Sequence, residues 1–170
     1  LDTDGEARDS LPDVGADEYV YQSSIIDLAV EAVEVPVMPL LAGSSYQILT
    51  TICNVGQQSV SNAEAILLYN EVPTDSQSIS LGVGVQFELI WNWSAPLTDL
   101  SYGLLRVQLN ALSDSVPANN SLSTSLVVAG APLANSVVVG GTGAADFTSL
   151  TELSEHLKWR GVGTSLSVLL

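Results

Sequence analysis

Gln86-Phe87-Glu88-Leu89-Ile90-Trp91-Asn92-Trp93-Ser94-Ala95-Pro96 is the stretch on which the fold turns. Phe87, Leu89, Trp91 and Trp93 alternate with Gln86, Glu88, Ile90 and Asn92. A period of two predicts a strand with one buried and one wet face. Ala95-Pro96 stops it, because proline brings no N–H to a ladder. Trp91 and Trp93 share parity with Phe87 and Leu89. They are therefore assigned to the core, against the alternative of an aromatic platform for sugar.

Working outward, similar segments lie on both sides, separated by Gly, Asn, Pro and Ser. Ile25 to Val35 places Ile26, Leu28, Val30 and Ala32 on one face, and Pro36 and Pro39 end it. Tyr46, Ile48, Thr50 and Ile52 share a face of the next strand, which closes at Asn54-Val55-Gly56. Glu64 to Asn70 follows. Its Ile66, Leu67, Leu68 and Tyr69 are consecutive, so periodicity does not choose the inner side. Ser76 to Leu81 reads as a short polar edge strand. After the Trp strand, Leu105, Val107 and Leu109 alternate with Arg106, Gln108 and Asn110. Tyr102-Gly103 reads out of phase with Leu105 and suggests a bulge. Asn119-Asn120 makes a turn, and Leu122, Leu126 and Val128 carry the last strand to Gly130. Seven strands in about 107 residues, with no helical candidate among them, predict an all-β, immunoglobulin-like seven-stranded sandwich over 24–130. The Cys and Trp markers of antibody domains are absent.

The chain carries 19 Asp and Glu against four basic residues, a net charge of −15 over 170 residues. That charge repels phosphate backbones and anionic membrane surfaces, so nucleic acid and membrane docking are excluded as partners. It suits an exported protein bathed in divalent cations. No segment reaches the roughly 18 consecutive apolar residues that span a bilayer. Cys53 is the only cysteine, so no intrachain disulfide forms. Its parity opposes that of Ile48 and Ile52. An inert small side chain and a thiol able to pair between chains are the two readings of it.

Leu1 to Tyr21 has no helical or strand period and holds seven acids against Arg8. Alone it reads as an acidic loop with turns at Asp4-Gly5 and Val14-Gly15. Asp2, Asp4 and Glu6 set hard oxygen ligands around a tight turn. They are candidate Ca²⁺ ligands, although the rest of a calcium loop is missing and an acidic turn is the simpler reading. No other cofactor is indicated. Ala131 to Leu170 changes character again. Val137-Val138-Val139 runs into Gly140-Gly141-Thr142-Gly143, which lacks the Lys-Ser/Thr of a phosphate loop and reads as a tight turn. A helix over Ser149 to Arg160 follows. Leu150, Leu153 and Leu157 lie on one face, Thr148 or Ser149 caps it, and Gly161 ends it. Ser165 to Leu170 begins a strand.

Asp27-Leu28-Ala29-Val30, Val35-Pro36, Ala42-Gly43, Asn54-Val55-Gly56, Trp93-Ser94-Ala95-Pro96 and Asn119-Asn120, in this order and spacing, resemble a CARDB domain. This is a bacterial and archaeal "cell adhesion related" immunoglobulin-like module, and the resemblance covers about two thirds of the chain. It implies an all-β extracellular module, repeated or attached to other domains, without catalytic activity. The family often carries several acids between the last two strands, whereas Asn110 to Asn120 here holds only Asp114. Asp2-x-Asp-Gly-x-x-Arg8 with Asp13-Val-Gly-Ala-Asp-Glu-Tyr19 resembles the closing segment of right-handed parallel β-helix domains, pectate-lyase-like in fold. Val139-Gly-Gly-Thr-Gly143, Asp146-Phe-Thr-Ser-Leu150 and the helix after them resemble an opening segment of the same fold. The expected organisation is a β-helix tail over 1–23, the sandwich over 24–130 and a β-helix start over 131–170.

No catalytic set is visible in the sequence. His156 has no second His or Cys near it and reads as a solvated or capping residue. No strand-turn-helix nucleophile elbow surrounds any Ser. Asn92-Trp93-Ser94 and Asn119-Asn120-Ser121 match the glycosylation sequon, a pattern common by chance. The expectation is therefore a non-enzymatic structural or adhesion module of a large, exported prokaryotic surface protein. Its partners would be other domains or copies of that protein, or an extracellular protein or polysaccharide. The alternative is an accessory or carbohydrate-binding module of a polysaccharide-active β-helix protein.

Overall fold

A computed structural model describes residues 25–140 and 144–170. The Trp stretch forms strand β6 (Gln86–Ser94) and pairs antiparallel with β3 (Ser45–Asn54), which pairs with β1 (Leu28–Glu34). These three make one sheet. A five-stranded sheet faces it, in the order β2 (Leu40–Leu41), β8 (Ser121–Ala129), β7 (Leu100–Asn110), β4 (Val60–Tyr69), β5 (Val72–Leu81). The described chain is all-β apart from one α-helix and one 3₁₀ turn, Pro117–Asn119.

Several details differ from the sequence reading. The sandwich has eight strands rather than seven, because β2 is added. Beyond Pro36 the chain crosses to the other sheet, where Leu40-Leu41 pairs in parallel with Val128-Ala129. Strand β5 begins at Val72, not Ser76. Asn70 and Glu71 both adopt positive φ (48° and 66°), so a two-residue hairpin joins β4 to β5 directly. As an edge strand, β5 tolerates Pro73. No bulge interrupts β7, whose register with β8 is continuous from Leu100 to Gln108. Gly103 faces inward with Leu105, and the space it leaves is filled by the Tyr69 ring, on which a Cβ at 103 would collide. The bulges lie at Val30/Ala32 and in β4 at Val60/Ala63 and Leu67/Leu68. After the first of these, Val33 rather than Ala32 packs on the core. Phe87 has the inward parity but is 47% exposed, being near the start of an edge strand where little of the facing sheet covers it.

The core joins both sheets. Leu28, Ile48, Ile52, Leu89, Trp91 and Trp93 from one meet Leu67, Leu105, Val107, Leu126 and Val128 from the other. Trp91 is 0% exposed, and its indole N–H donates to the buried hydroxyl of Thr50 at 3.0 Å. Tyr69 tilts against Trp93, with ring centroids 5.3 Å apart. Asn54 is also fully buried. Its amide nitrogen donates to the carbonyls of Gln58 (2.8 Å) and Leu81 (3.2 Å), and its oxygen accepts from Gly56 N–H (3.0 Å). A Cβ on Gly56 would lie 2.5 Å from the Ile25 carbonyl oxygen and 2.6 Å from the Asp27 nitrogen. Only glycine lets the incoming chain run so close, and the amides of Val55, Gly56 and Gln57 then donate to Asp27 and Ile25.

Past the sandwich, β9 (Leu133–Val138), α1 (Leu150–Arg160) and β10 (Val162–Leu169) form a parallel strand–helix–strand unit. A second apolar cluster of Leu133, Val137, Val139, Phe147 and Leu153 fills it. Ser149 caps α1, accepting from Glu152 N–H, and Gly161 ends it at φ 68°. The expected face is correct for Leu153 and Leu157, but Leu150 in the first turn is 56% exposed. The last strand starts at Val162 rather than Ser165.

Thr50→Val keeps the shape of the core but leaves the Trp91 N–H buried without an acceptor. The expected loss is about 1–3 kcal/mol. Thr50→Ser should lose less, because the hydroxyl remains. Chemical denaturation of the two variants measures the difference, and equal losses would show that the hydrogen bond is immaterial.

Candidate functional site

Trp91 and Trp93, assigned to the core from their alternation, are both in it, so neither offers a sugar platform. The candidate Ca²⁺ ligands Asp2, Asp4 and Glu6, the residues of the expected β-helix tail, and Gly141 to Gly143 lie outside the described residues. Among the described residues no group of three or more His, Cys, Asp or Glu is placed to hold a metal ion. Asn92 lies exposed on β6, and Asn119 donates to the Asp27 carboxylate at 2.8 Å.

His156 is half-buried and is not a cap, since Ser149 and Gly161 hold those positions. Its ring packs edge-on against Phe147, with centroids 4.9 Å apart, and its Nδ1 faces Arg160 Nη1 at 3.5 Å. A guanidinium only donates, so this Nδ1 is the acceptor. Arg160 belongs to a joint that the sequence did not disclose. Its Nε donates to the Ala131 carbonyl (2.8 Å) and its Nη1 lies 3.5 Å from Asp99 Oδ1. From the preceding residue, Trp159 Nε1 donates to Tyr102 Oη (3.0 Å), which donates to Glu155 Oε2 (3.1 Å). The two rings meet edge to face. Helix α1 is thus fastened to β7, and to the short link after β8, at one end of the five-stranded sheet.

The loops at the opposite end are pinned by carboxylates. Asp114 Oδ2 accepts from Leu28 N–H (2.9 Å) and Oδ1 from Val116 N–H (2.9 Å). Turned so that its nitrogen faces them, the buried Asn120 amide donates to Asp114 Oδ2 (3.1 Å) and to the Leu28 carbonyl. Asp114, the lone acid between the last two strands, therefore already has backbone donors on both oxygens.

Among the described residues, two titratable groups are displaced from their ordinary range. Burial, then the neighbouring Glu31 carboxylate, push the Cys53 thiol up. A raised pKa favours the protonated thiol at neutral pH, which makes it a slower nucleophile. Hydrogen bonds from the Thr148 hydroxyl (2.6 Å) and amide (2.7 Å) hold Glu152 below the usual carboxylate range. With Ser149 they close a box around the start of α1.

Cys53 should alkylate more slowly at pH 7 than a free cysteine, and Glu31→Gln should speed the reaction. An unchanged rate would remove Glu31 from the account. For Glu152 the folded pKa lies below the unfolded one. Its contribution to the helix cap is present above the unfolded carboxylate range and fades as pH falls through the folded pKa. The Thr148 amide resonance should follow that low titration in wild type and lose it in Glu152→Gln.

No family model matches the chain, and no curated protein matches it. Solved structures do. The CARDB domain of a Pyrococcus furiosus protein, determined by NMR, is 17% identical, with a TM-score of 0.56, over 63% of this chain and 98% of that one. A crystal structure of the same domain, in complex with di-metal ions, is 18% identical over 64% and 97%, with a TM-score of 0.53. A domain of a candidate cell surface protein from Methanosarcina acetivorans is 20% identical over 60% and 90%, with a TM-score of 0.49. The sandwich of this chain therefore has the fold of a CARDB domain.

Proposed function

We propose that this chain is a non-enzymatic structural or adhesion module of a large exported prokaryotic surface protein. The observation that carries the reading is the CARDB fold of the sandwich, shared end to end with the Pyrococcus domain. Fold alone does not give function. The site supports the reading, because the described polar clusters act on the protein's own backbone. Asp114, Asp146 and Glu152 accept from main-chain N–H groups, and His156 packs on Phe147. None is paired with a nucleophile and base in catalytic geometry. Among the described residues no helix is long and apolar enough to cross a membrane.

The finer reading divides the chain into a β-helix tail over 1–23, the sandwich over 24–130 and a β-helix start over 131–170. The parallel pairing of β9 and β10 supports the last of these, since a parallel β-helix stacks successive strands in this sense. The Pyrococcus domain was crystallised with two metal ions. Among the described residues no three His, Cys, Asp or Glu come together as such a centre would need, and Asp114 and Asp27 accept hydrogen bonds from neighbouring amides. Any Ca²⁺ would fall to Asp2, Asp4 and Glu6.

Cells carrying the full-length gene provide the test. An antibody against residues 24–130 should label intact cells, and protease added outside should remove the label. Labelling that appears only after lysis would overturn a surface location.

A further inference from the structure

The outer face of the five-stranded sheet lies away from the core. Cross-strand register sets its rows. Glu64 lies beside Asn110, and Ile66 beside Gln108 and Ser121. Leu68 lies beside Arg106 and Ser123, Leu104 beside Ser125, and Tyr102 beside Val127. The small serines of β8 leave a trough along the longer side chains of β7. Two cavities occupy this face end to end. One, of about 750 Å³, has a lining that mixes polar and apolar groups; it lies over Arg106, Gln108, Asn110 and Ser121 and reaches the loop that follows β7. The other, of about 440 Å³, is mainly apolar and lies over Tyr102, Leu104 and Val127. From Tyr102 to Asn110 the track runs about 27 Å, at about 3.4 Å per residue.

The groups along it are preset for hydroxyls. Gln108 and Asn110 carry amides that both donate and accept, and they are already aligned, with Gln108 Nε2 donating to Asn110 Oδ1 at 3.2 Å. Arg106 ion-pairs with Glu71 through Nη2, while its buried Nε–H has no partner. Tyr102 is 59% exposed, yet its hydroxyl is fixed by Trp159 and Glu155, so its ring is held in place before any ligand arrives. Apolar ring faces edged by hydroxyls are the chemistry of a sugar, and a track of this length suits a chain of them. The charge of the ligand follows as well. Arg106 is neutralised by Glu71, Glu64 borders the track, and the net charge of −15 repels acidic polymers.

We propose that this face binds a neutral polysaccharide lying along β7, its hydroxyls on Gln108, Asn110 and Arg106 and a ring face on Tyr102. The proposal rests on the reading of an extracellular module and names that module's ligand class.

Affinity electrophoresis in native gels containing dextran, galactomannan or β-1,3-glucan tests it, with alginate as the acidic polymer. At least one neutral polymer should retard the wild-type chain. Gln108→Ala/Asn110→Ala should weaken that binding by about tenfold or more. Ser123→Trp, which fills the trough from the side, should abolish it. Asn92→Ala, on the opposite sheet, should leave it unchanged, and thermal melts establish that each variant is folded. The proposal falls if no neutral polymer retards the chain, if Ser123→Trp binds like wild type, or if only alginate binds. Each of these outcomes leaves the intact-cell labelling result standing, so loss of the ligand class and loss of the surface location are told apart.

Discussion

The hydrogen bond from the Trp91 indole to the Thr50 hydroxyl lies at the centre of the sandwich, with both residues fully buried. An indole N–H sealed in an apolar core needs an acceptor, and a threonine sealed there needs a donor. The two residues sit diagonally across adjacent strands, Trp91 opposite Ile48 and Thr50 opposite Leu89. A slip of one residue between β3 and β6 would turn one of them to solvent and strand the other. The pair therefore locks the register of the smaller sheet, and with it which faces of β3 and β6 meet β4, β7 and β8. Tyr69 extends the lock across the sandwich, reaching Trp93 over the gap that Gly103 leaves.

The surplus of acids looks like an invitation to cations, but the structure employs several of them as acceptors for main-chain N–H groups. Asp114 ties the loop before β8 to β1, Asp146 holds Val138, and Glu152 closes the cap of α1. A carboxylate engaged in this way has fewer lone pairs to give a metal. Two of the basic residues also make contacts within the chain: Arg106 braces Glu71 through Nη2, and Arg160 fastens α1 beside Asp99 and Ala131. Among the described residues, the trough of the larger sheet, whose Arg106 is balanced by Glu71, offers side-chain amides that can still take a ligand.

That sheet also explains how the parts of the chain work together. Its far end carries the joint with α1, so the helix steadies Tyr102 at one end of the trough. The joint makes the strand–helix–strand unit part of how the sandwich presents its outer face. The CARDB fold by itself would not dictate this arrangement, because it arises from Trp159, Glu155 and Arg160 beyond the sandwich.

Strict alternation in Gln86 to Ser94 and Ser45 to Asn54 was enough to assign two strands and their inner faces, because a buried face imposes a period of two on the sequence. The same rule placed Leu105, Val107 and Leu109 correctly. It failed where the backbone rather than the side chain departs from regularity. Positive φ at Asn70 and Glu71 hid the start of β5, and the bulge after Val30 exchanged Ala32 for Val33. Gly103 looked like a bulge because the ring that fills its place comes from Tyr69, distant in the chain. The candidate sites divide in the same way. The core role of the tryptophans was legible, being a local pattern. The Tyr102–Trp159–Glu155 joint, the Arg160 contacts and the trough along β7 were not, since each joins residues far apart in sequence. The sequence alone determined the fold class, the acidic character and the buried face of the Trp strand. Tertiary structure decided which polar groups are spent on the protein's own backbone and which remain free, because that depends on which strands become neighbours.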